Sequence, residues 1–117
     1  MPSIAITIPQ GHDPNWVDGF FDGTRQGSED FPLHAGNVNI HAGEYVYLIY
    51  QGRIHGRLSV EDVEYPDPPQ NIPVGTAGEV IEARTVVRVT CPGESAGERN
   101  IPRVGRPQFH YDDVPEW

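Results

Sequence analysis

Residues 43–60 read GEYVYLIYQGRIHGRLSV, and their pattern decides the fold. Two apolar stretches meet at a Gln51-Gly52 link, where Gly tolerates the positive φ that a short hairpin demands. Along Arg53–Val60 the apolar or small residues Ile54, Gly56, Leu58 and Val60 share one face. Arg53, His55, Arg57 and Ser59 share the other. This alternation marks a half-buried strand. In the partner stretch, Tyr45, Val46, Tyr47, Leu48, Ile49 and Tyr50 are apolar on both faces, as in a strand covered on both sides.

Working outward toward the N-terminus, Ser3–Ile8 sets Ile4, Ile6 and Ile8 against small residues and predicts a first strand stopped by Pro9. Asp13 is an expected N-cap and Pro14 an expected first helical residue. Trp16, Val17, Phe20 and Phe21 follow at helical spacing, which predicts a helix of about two turns. Residues 26–43 read mostly as loop, with a short strand expected at Val38–Ile40.

Beyond the hairpin, Glu61–Gly75 carries four acids and four prolines and is expected to be a surface connector rather than a central strand. Glu79–Thr90 predicts one long strand, with Ile81, Ala83, Thr85, Val87 and Val89 on one face. Residues 92–106 read as loop, and Gln108–Tyr111 as a last short strand. The sum is a mainly β (α+β) domain spanning residues 1–117. Five to six strands with one or two short helices would form a small β-barrel, whose closure removes sheet edges.

Composition narrows the classes of function. With 117 residues the chain can bury roughly two thirds of its unfolded surface in one core. No apolar run approaches the ~20 residues that span a bilayer. MPSIAITIP lacks the charged and apolar regions of a signal peptide, so a cytoplasmic location is the expectation. The one cysteine, Cys91, excludes an internal disulfide and a multi-cysteine zinc site, and reads as a small apolar filler. A formal charge of −9 counts against partners held mainly through phosphates. All eight cations are arginines, so no chemistry on this chain can use a lysine amine. Arginine suits planar recognition of anions or base edges.

The order strand, aromatic helix, loop with an arginine, glycine-punctuated hairpin carries a resemblance. The hairpin pattern is present as Gly43, Glu44, Val46, Tyr47, Leu48, Gly52, Ile54, Gly56 and Val60. A valine-rich strand follows, then Arg106, Phe109 and Tyr111 in an R-x-x-F-x-Y arrangement. The chain resembles the PUA-like superfamily, in particular its ASCH and EVE-type small barrels. That resemblance implies a barrel that binds RNA or a modified nucleobase in a pocket between the barrel and the helix after the first strand. The G-x-K-x-x-E-x-R signature of ASCH domains is missing. The lysine-dependent amidohydrolase activity of some ASCH-type proteins therefore does not transfer.

Candidate ligand-binding residues follow from both readings. Trp16 and Phe21 can wall an aromatic pocket that stacks a flat ligand, at ~1–3 kcal/mol per base. The alternative is that these rings plug one end of the barrel. Arg25, in the loop after the helix, is a candidate polar reader. Tyr47, Arg53 and Arg84 complete the set. Arg53, Arg57, Arg84 and Arg88 form either an anion-reading patch or a ladder paired with acids. The five histidines show no ligand spacing, and no metal or cofactor is expected. The serines sit in no nucleophile-elbow context, and GTAGEV lacks the phosphate-loop pattern.

Two functions from different classes remain. One is a non-catalytic module binding RNA or a nucleobase-like ligand. The other is an acidic protein that binds a basic partner surface through Glu61, Asp62, Glu64 and Asp67 or through Asp112, Asp113 and Glu116. An enzyme ranks third, because no constellation has a mechanistic spacing.

Overall fold

The computed structural model describes residues 3–74, 79–106 and 108–117. The elements run β1 (Ile4–Thr7), α1 (Pro14–Asp18), β2 (Gly27–Leu33), β3 (Tyr45–Tyr50), β4 (Arg53–Glu64), β5 (Gln70–Val74), β6 (Glu79–Ala83), β7 (Thr85–Ser95) and β8 (Phe109–Tyr111). The mainly β class with a short helix is as the periodicities require. Six strands form one mixed sheet in the order β2-β7-β4-β3-β1-β8, and β5 pairs with β6 in a separate hairpin. Among the described residues, no helix is long and apolar enough to cross a membrane. The GTAGEV stretch falls mostly outside the described residues.

The β3–β4 hairpin turns through Gln51 (φ 52°) and Gly52 (φ 80°), the paired positive angles of a tight two-residue loop. Across it Leu48 faces Gly56 and Ile49 faces Ile54, so His55 is an extra residue that bulges β4. The bulge overturns the strict alternation read from Arg53–Val60. Leu58 packs in the main core with Ile4, Ile6, Leu48 and Val87. Ile54 instead joins a second layer with Ala5, Tyr47, Ile49, Ile101 and Val114. That layer, supplied by the C-terminal segment, is why β3 is apolar on both faces. A Cβ on Gly56 would lie 2.5 Å from the Phe21 ring and 2.6 Å from the Glu94 carbonyl oxygen. Glycine is needed there for the turn after α1 and for β7 to close on β4.

Four expectations are corrected. β2 falls in a stretch read as loop; its Pro32 fits because β2 is an end strand, where a missing N–H breaks no inner ladder. The acidic connector carries the last residues of β4 and all of β5. The end of β4 pairs with β7 alone, since β3 begins at Tyr45, opposite Ser59. Glu79–Thr90 divides at Arg84, whose N–H donates to the Leu33 carbonyl at 2.9 Å; β6 leaves with β5 while β7 stays in the main sheet. Val38–Ile40 forms no strand, though both apolar side chains are buried.

Nor is the barrel closed. β2 and β8 end the sheet and do not pair with each other among the described residues. With three residues in β8 and a proline in β2, neither edge offers a full ladder. Ile6 of β1 and Phe31 and Leu33 of β2 nevertheless belong to one core cluster and line one cleft, so the sheet curls until its ends face across a seam. The His34 N–H spans that seam by donating to the Gln108 side-chain carbonyl at 2.9 Å. Gln108 holds a left-handed φ of 59° to do so.

Candidate functional site

The chain turns back after β1 through Pro9–Asp13. The Asp13 carboxylate accepts the Asn15 N–H at 2.8 Å and Pro14 opens α1, as expected from their order. The helix is one short turn rather than two. His12 precedes it and is anchored by its backbone: its N–H donates to the Pro9 carbonyl at 3.2 Å, and its carbonyl accepts the buried Tyr50 hydroxyl at 2.6 Å.

His12, Trp16 and Phe20 recur at every fourth residue and form one aromatic row. His12 stacks on Trp16 with ring centroids 4.7 Å apart at 27°. Phe20 meets Trp16 edge-on at 5.1 Å, and Phe31 of β2 lies 5.2 Å beyond Phe20. Arg25 braces the row from outside. Its Nη1 donates to the Trp16 carbonyl at 2.7 Å, its guanidinium lies 4.1 Å from the Phe20 ring centroid, and its Nε is 3.7 Å from Glu29.

Trp16 separates two hollows of opposite character. On one side a cleft of about 110 Å³ opens into the seam, lined chiefly by Ile6, Ile8, His12, Trp16, Phe31 and Leu33, with Thr7, Ile81 and Gln108 beside them. No charged side chain lines it. On the other side a hollow of about 180 Å³ is lined by Arg25, Glu29 and Asp30 together with Phe20 and Pro73. His12 is only 3% exposed, and among the described residues neither of its ring nitrogens has a hydrogen-bond partner. A buried polar group without a partner costs about 1–3 kcal/mol. His12 is among the residues that line the cleft.

The structure brings Trp16 and Arg25 together and scatters the other four expected site residues. Phe21 points away from the seam, onto Gly56. Tyr47 is buried in the second layer, 5.7 Å from Trp117. Arg53 is exposed at the start of β4. Arg84 is exposed and sits 3.7 Å from Glu82. Arg25 is committed to the Trp16 backbone and Glu29 rather than aimed into the apolar cleft. Sequence reasoning misses His12, because weighing histidines only as metal ligands leaves it without a role. Its signal is nonetheless present: it stands four residues before Trp16, on the same stripe.

Of the four polar-face arginines, Arg57, Arg84 and Arg88 are paired with acids, while Arg53 has no acid within ion-pair distance among the described residues. Arg88 lies within 3.1–3.7 Å of Asp30, Glu64 and Asp62, and Arg57 within 3.3 Å of Glu94. Both acidic clusters therefore hold a cation; in the second, Arg103 donates to Asp112 and to Glu116 at 2.7 Å each. Cys91 is buried, and burial raises its thiol pKa, which keeps it unreactive. Among the described residues, no three His, Cys, Asp or Glu side chains are placed to hold a metal. Comparison with protein-family models, with curated proteins and with solved structures gave no significant match.

Proposed function

We propose that this chain is a non-catalytic binding module that takes a flat, nucleobase-like ring into the seam cleft and stacks it beside Trp16. One observation carries the reading: an apolar, uncharged cleft at an aromatic row ends on a buried histidine without partners. Its place, between the rolled sheet and the helix after the first strand, is where the PUA-like resemblance puts a ligand. The alternative, a basic protein partner, has less support, because Asp62 and Glu64 already surround Arg88 and Asp112 and Glu116 already hold Arg103.

The test is a titration with RNA and with base-modified oligonucleotides, following the emission of Trp16 in a Trp117→Phe protein that retains it as the single tryptophan. The expected result is quenching that changes little between low and high salt, since the ring rather than the phosphates is held. Binding, followed from the ligand side, should be lost in Trp16→Leu. No response to any ring-bearing ligand would overturn the reading.

A further inference from the structure

We infer that the groove between the β3–β4 turn and residues 102–105 is a docking site for an acidic, extended peptide segment of a partner protein. This surface does not depend on the seam reading. Charge placement, geometry and lining chemistry combine.

The chain's charge is unevenly spread. Residues 45–60 and 99–111 contain five of the eight arginines, Arg53, Arg57, Arg99, Arg103 and Arg106, and none of the seventeen acids. The fold lays these two stretches side by side. The Ile54 N–H donates to the Ile101 carbonyl at 2.9 Å, the Arg103 N–H donates to the Gly52 carbonyl at 3.0 Å, and Arg53 forms a bridge with Pro102. Two of the five cations are already matched: Arg57 by Glu94, and Arg103 by Asp112 and Glu116. Arg53, Arg99 and Arg106 are exposed, and among the described residues none has an acid within ion-pair distance.

A groove of about 470 Å³ opens at this junction. Its walls are the end of β1 with Gln10, the turn residues Gln51 and Gly52, and the stretch from Pro102 to Gly105. No acid is among the lining residues, and the one charged lining residue, Arg103, is balanced by Asp112 and Glu116. The unmatched cations flank it in sequence: Arg53 follows Gly52 in one wall, and Arg106 follows Gly105 in another.

The lining suits a peptide. Val104 is 83% exposed, the largest exposure of any large apolar side chain among the described residues, and with Pro102 it offers apolar contact. Gln10 and Gln51 are exposed, and a carboxamide has both donors and an acceptor to match a peptide main chain. Arg53 and Arg106 offer guanidinium groups to carboxylates. Cation, amide and apolar group together fit an extended segment of alternating acidic and aliphatic residues. A nucleic acid fits less well. A polyanion held by its phosphates would run on past the groove, and the rest of the chain has seventeen acids against three arginines. For a short peptide that repulsion is screened beyond about 8 Å at physiological ionic strength, while contacts in the groove fall within that distance.

The experiment follows the fluorescence anisotropy of a short labelled peptide alternating glutamate and valine. The controls are the same peptide with glutamine in place of glutamate, and an oligothymidylate of equal charge. The acidic peptide should bind roughly tenfold tighter than its glutamine counterpart at low salt, and weaken as salt rises. Arg53→Gln and Arg106→Gln should each weaken it roughly threefold, and the double variant roughly tenfold. Both side chains are exposed, so these variants should fold as the parent does. Arg84→Gln, which removes an exposed arginine between β6 and β7, should leave the affinity unchanged. Backbone amide shifts should fall on Gln10, Gln51, Gly52, Val104 and Gly105. Uridine, a probe of the seam cleft, should not displace the peptide. Equal binding of the acidic and glutamine peptides, an equal loss in Arg84→Gln, displacement by uridine, or tighter binding of the oligothymidylate would each overturn this inference. The seam reading would then still stand on its own titration.

Discussion

The two tryptophans anchor two aromatic clusters of similar composition that have settled differently. Around Trp117 the partners are mutual. Arg57 lies 4.1 Å from the Tyr45 ring and 4.7 Å from the Trp117 ring, and Arg99 lies 4.7 Å from Trp117. Arg57 also reaches the Tyr47 hydroxyl at 3.5 Å and Glu94 at 3.3 Å, leaving only its Nε without a partner. Next to it Arg103 locks Asp112 and Glu116, and this bonding holds the Glu116 carboxyl below its ordinary pKa range. Around Trp16, Arg25 likewise lies 5.4 Å from the Trp16 ring and 4.1 Å from the Phe20 ring while donating to the Trp16 carbonyl, and among the described residues the His12 ring nitrogens have no hydrogen-bond partner. Aromatic and cationic residues side by side are thus not enough to mark a site. Among the described residues both regions keep buried nitrogens without partners, His12 at the seam and Arg57 Nε and His110 Nδ1 at the C-terminal clasp. What separates them is that the seam cleft is lined by no Arg, Asp or Glu, whereas the hollow beside Arg57 is lined by Arg57 and Glu94.

Breaking the clasp should cause the largest loss of stability. Arg103→Met leaves the mostly buried Asp112 carboxylate without its cation, and we expect about 2 kcal/mol of destabilisation in denaturant unfolding. Uridine binding at the seam should be unchanged. A loss of binding equal to the loss of stability would mean the two regions are not independent.

The opposite sign is expected at the seam. His12→Phe removes two unsatisfied buried nitrogens, so without ligand the variant should be more stable by about 1 kcal/mol. A destabilised variant with a well-packed ring at that position would show that His12 serves the fold instead. Tyr50→Phe deletes the 2.6 Å bond to the His12 carbonyl. It should cost about 1 kcal/mol.

Much of this contrast is legible in the chain itself. The period-two pattern of Gly56–Val60, the two-faced β3 and the Asp13-Pro14 cap can be read because each depends on neighbours in sequence. Trp16 stands out for the same reason. The bulge at His55, the edge strand holding Pro32 and the division at Arg84 do not. Each depends on which strand lies alongside, a long-range fact that local pattern does not carry. Arg25 and Tyr47 mislead in a similar way: their chemistry is plain, but not that the Trp16 carbonyl and the C-terminal segment occupy them. His12 needs both kinds of information, its place on the Trp16 stripe and its burial without partners.

The smallest expected effect lies between the two regions, at His55. Burial, and then the neighbouring Arg53 guanidinium, hold its imidazole below the ordinary value of 6.5. The unfolded chain therefore takes up a proton first as pH falls. Stability should be full above pH 6.5 and decline below it, until the folded state protonates too. His55→Asn should flatten that slope in urea unfolding measured from pH 7.5 to 5. An unchanged slope would assign it to another group.

The most direct test of the seam against the clasp is a backbone amide NMR map recorded during a uridine titration. Shifts should begin at Ile6, Thr7, Ile8, His12, Trp16, Phe31, Leu33 and Gln108, with the C-terminal segment silent. If Tyr45, Arg57, Arg99 and Trp117 moved first while the seam stayed still, the ligand would sit on the opposite layer, and the seam cleft would not be the binding site.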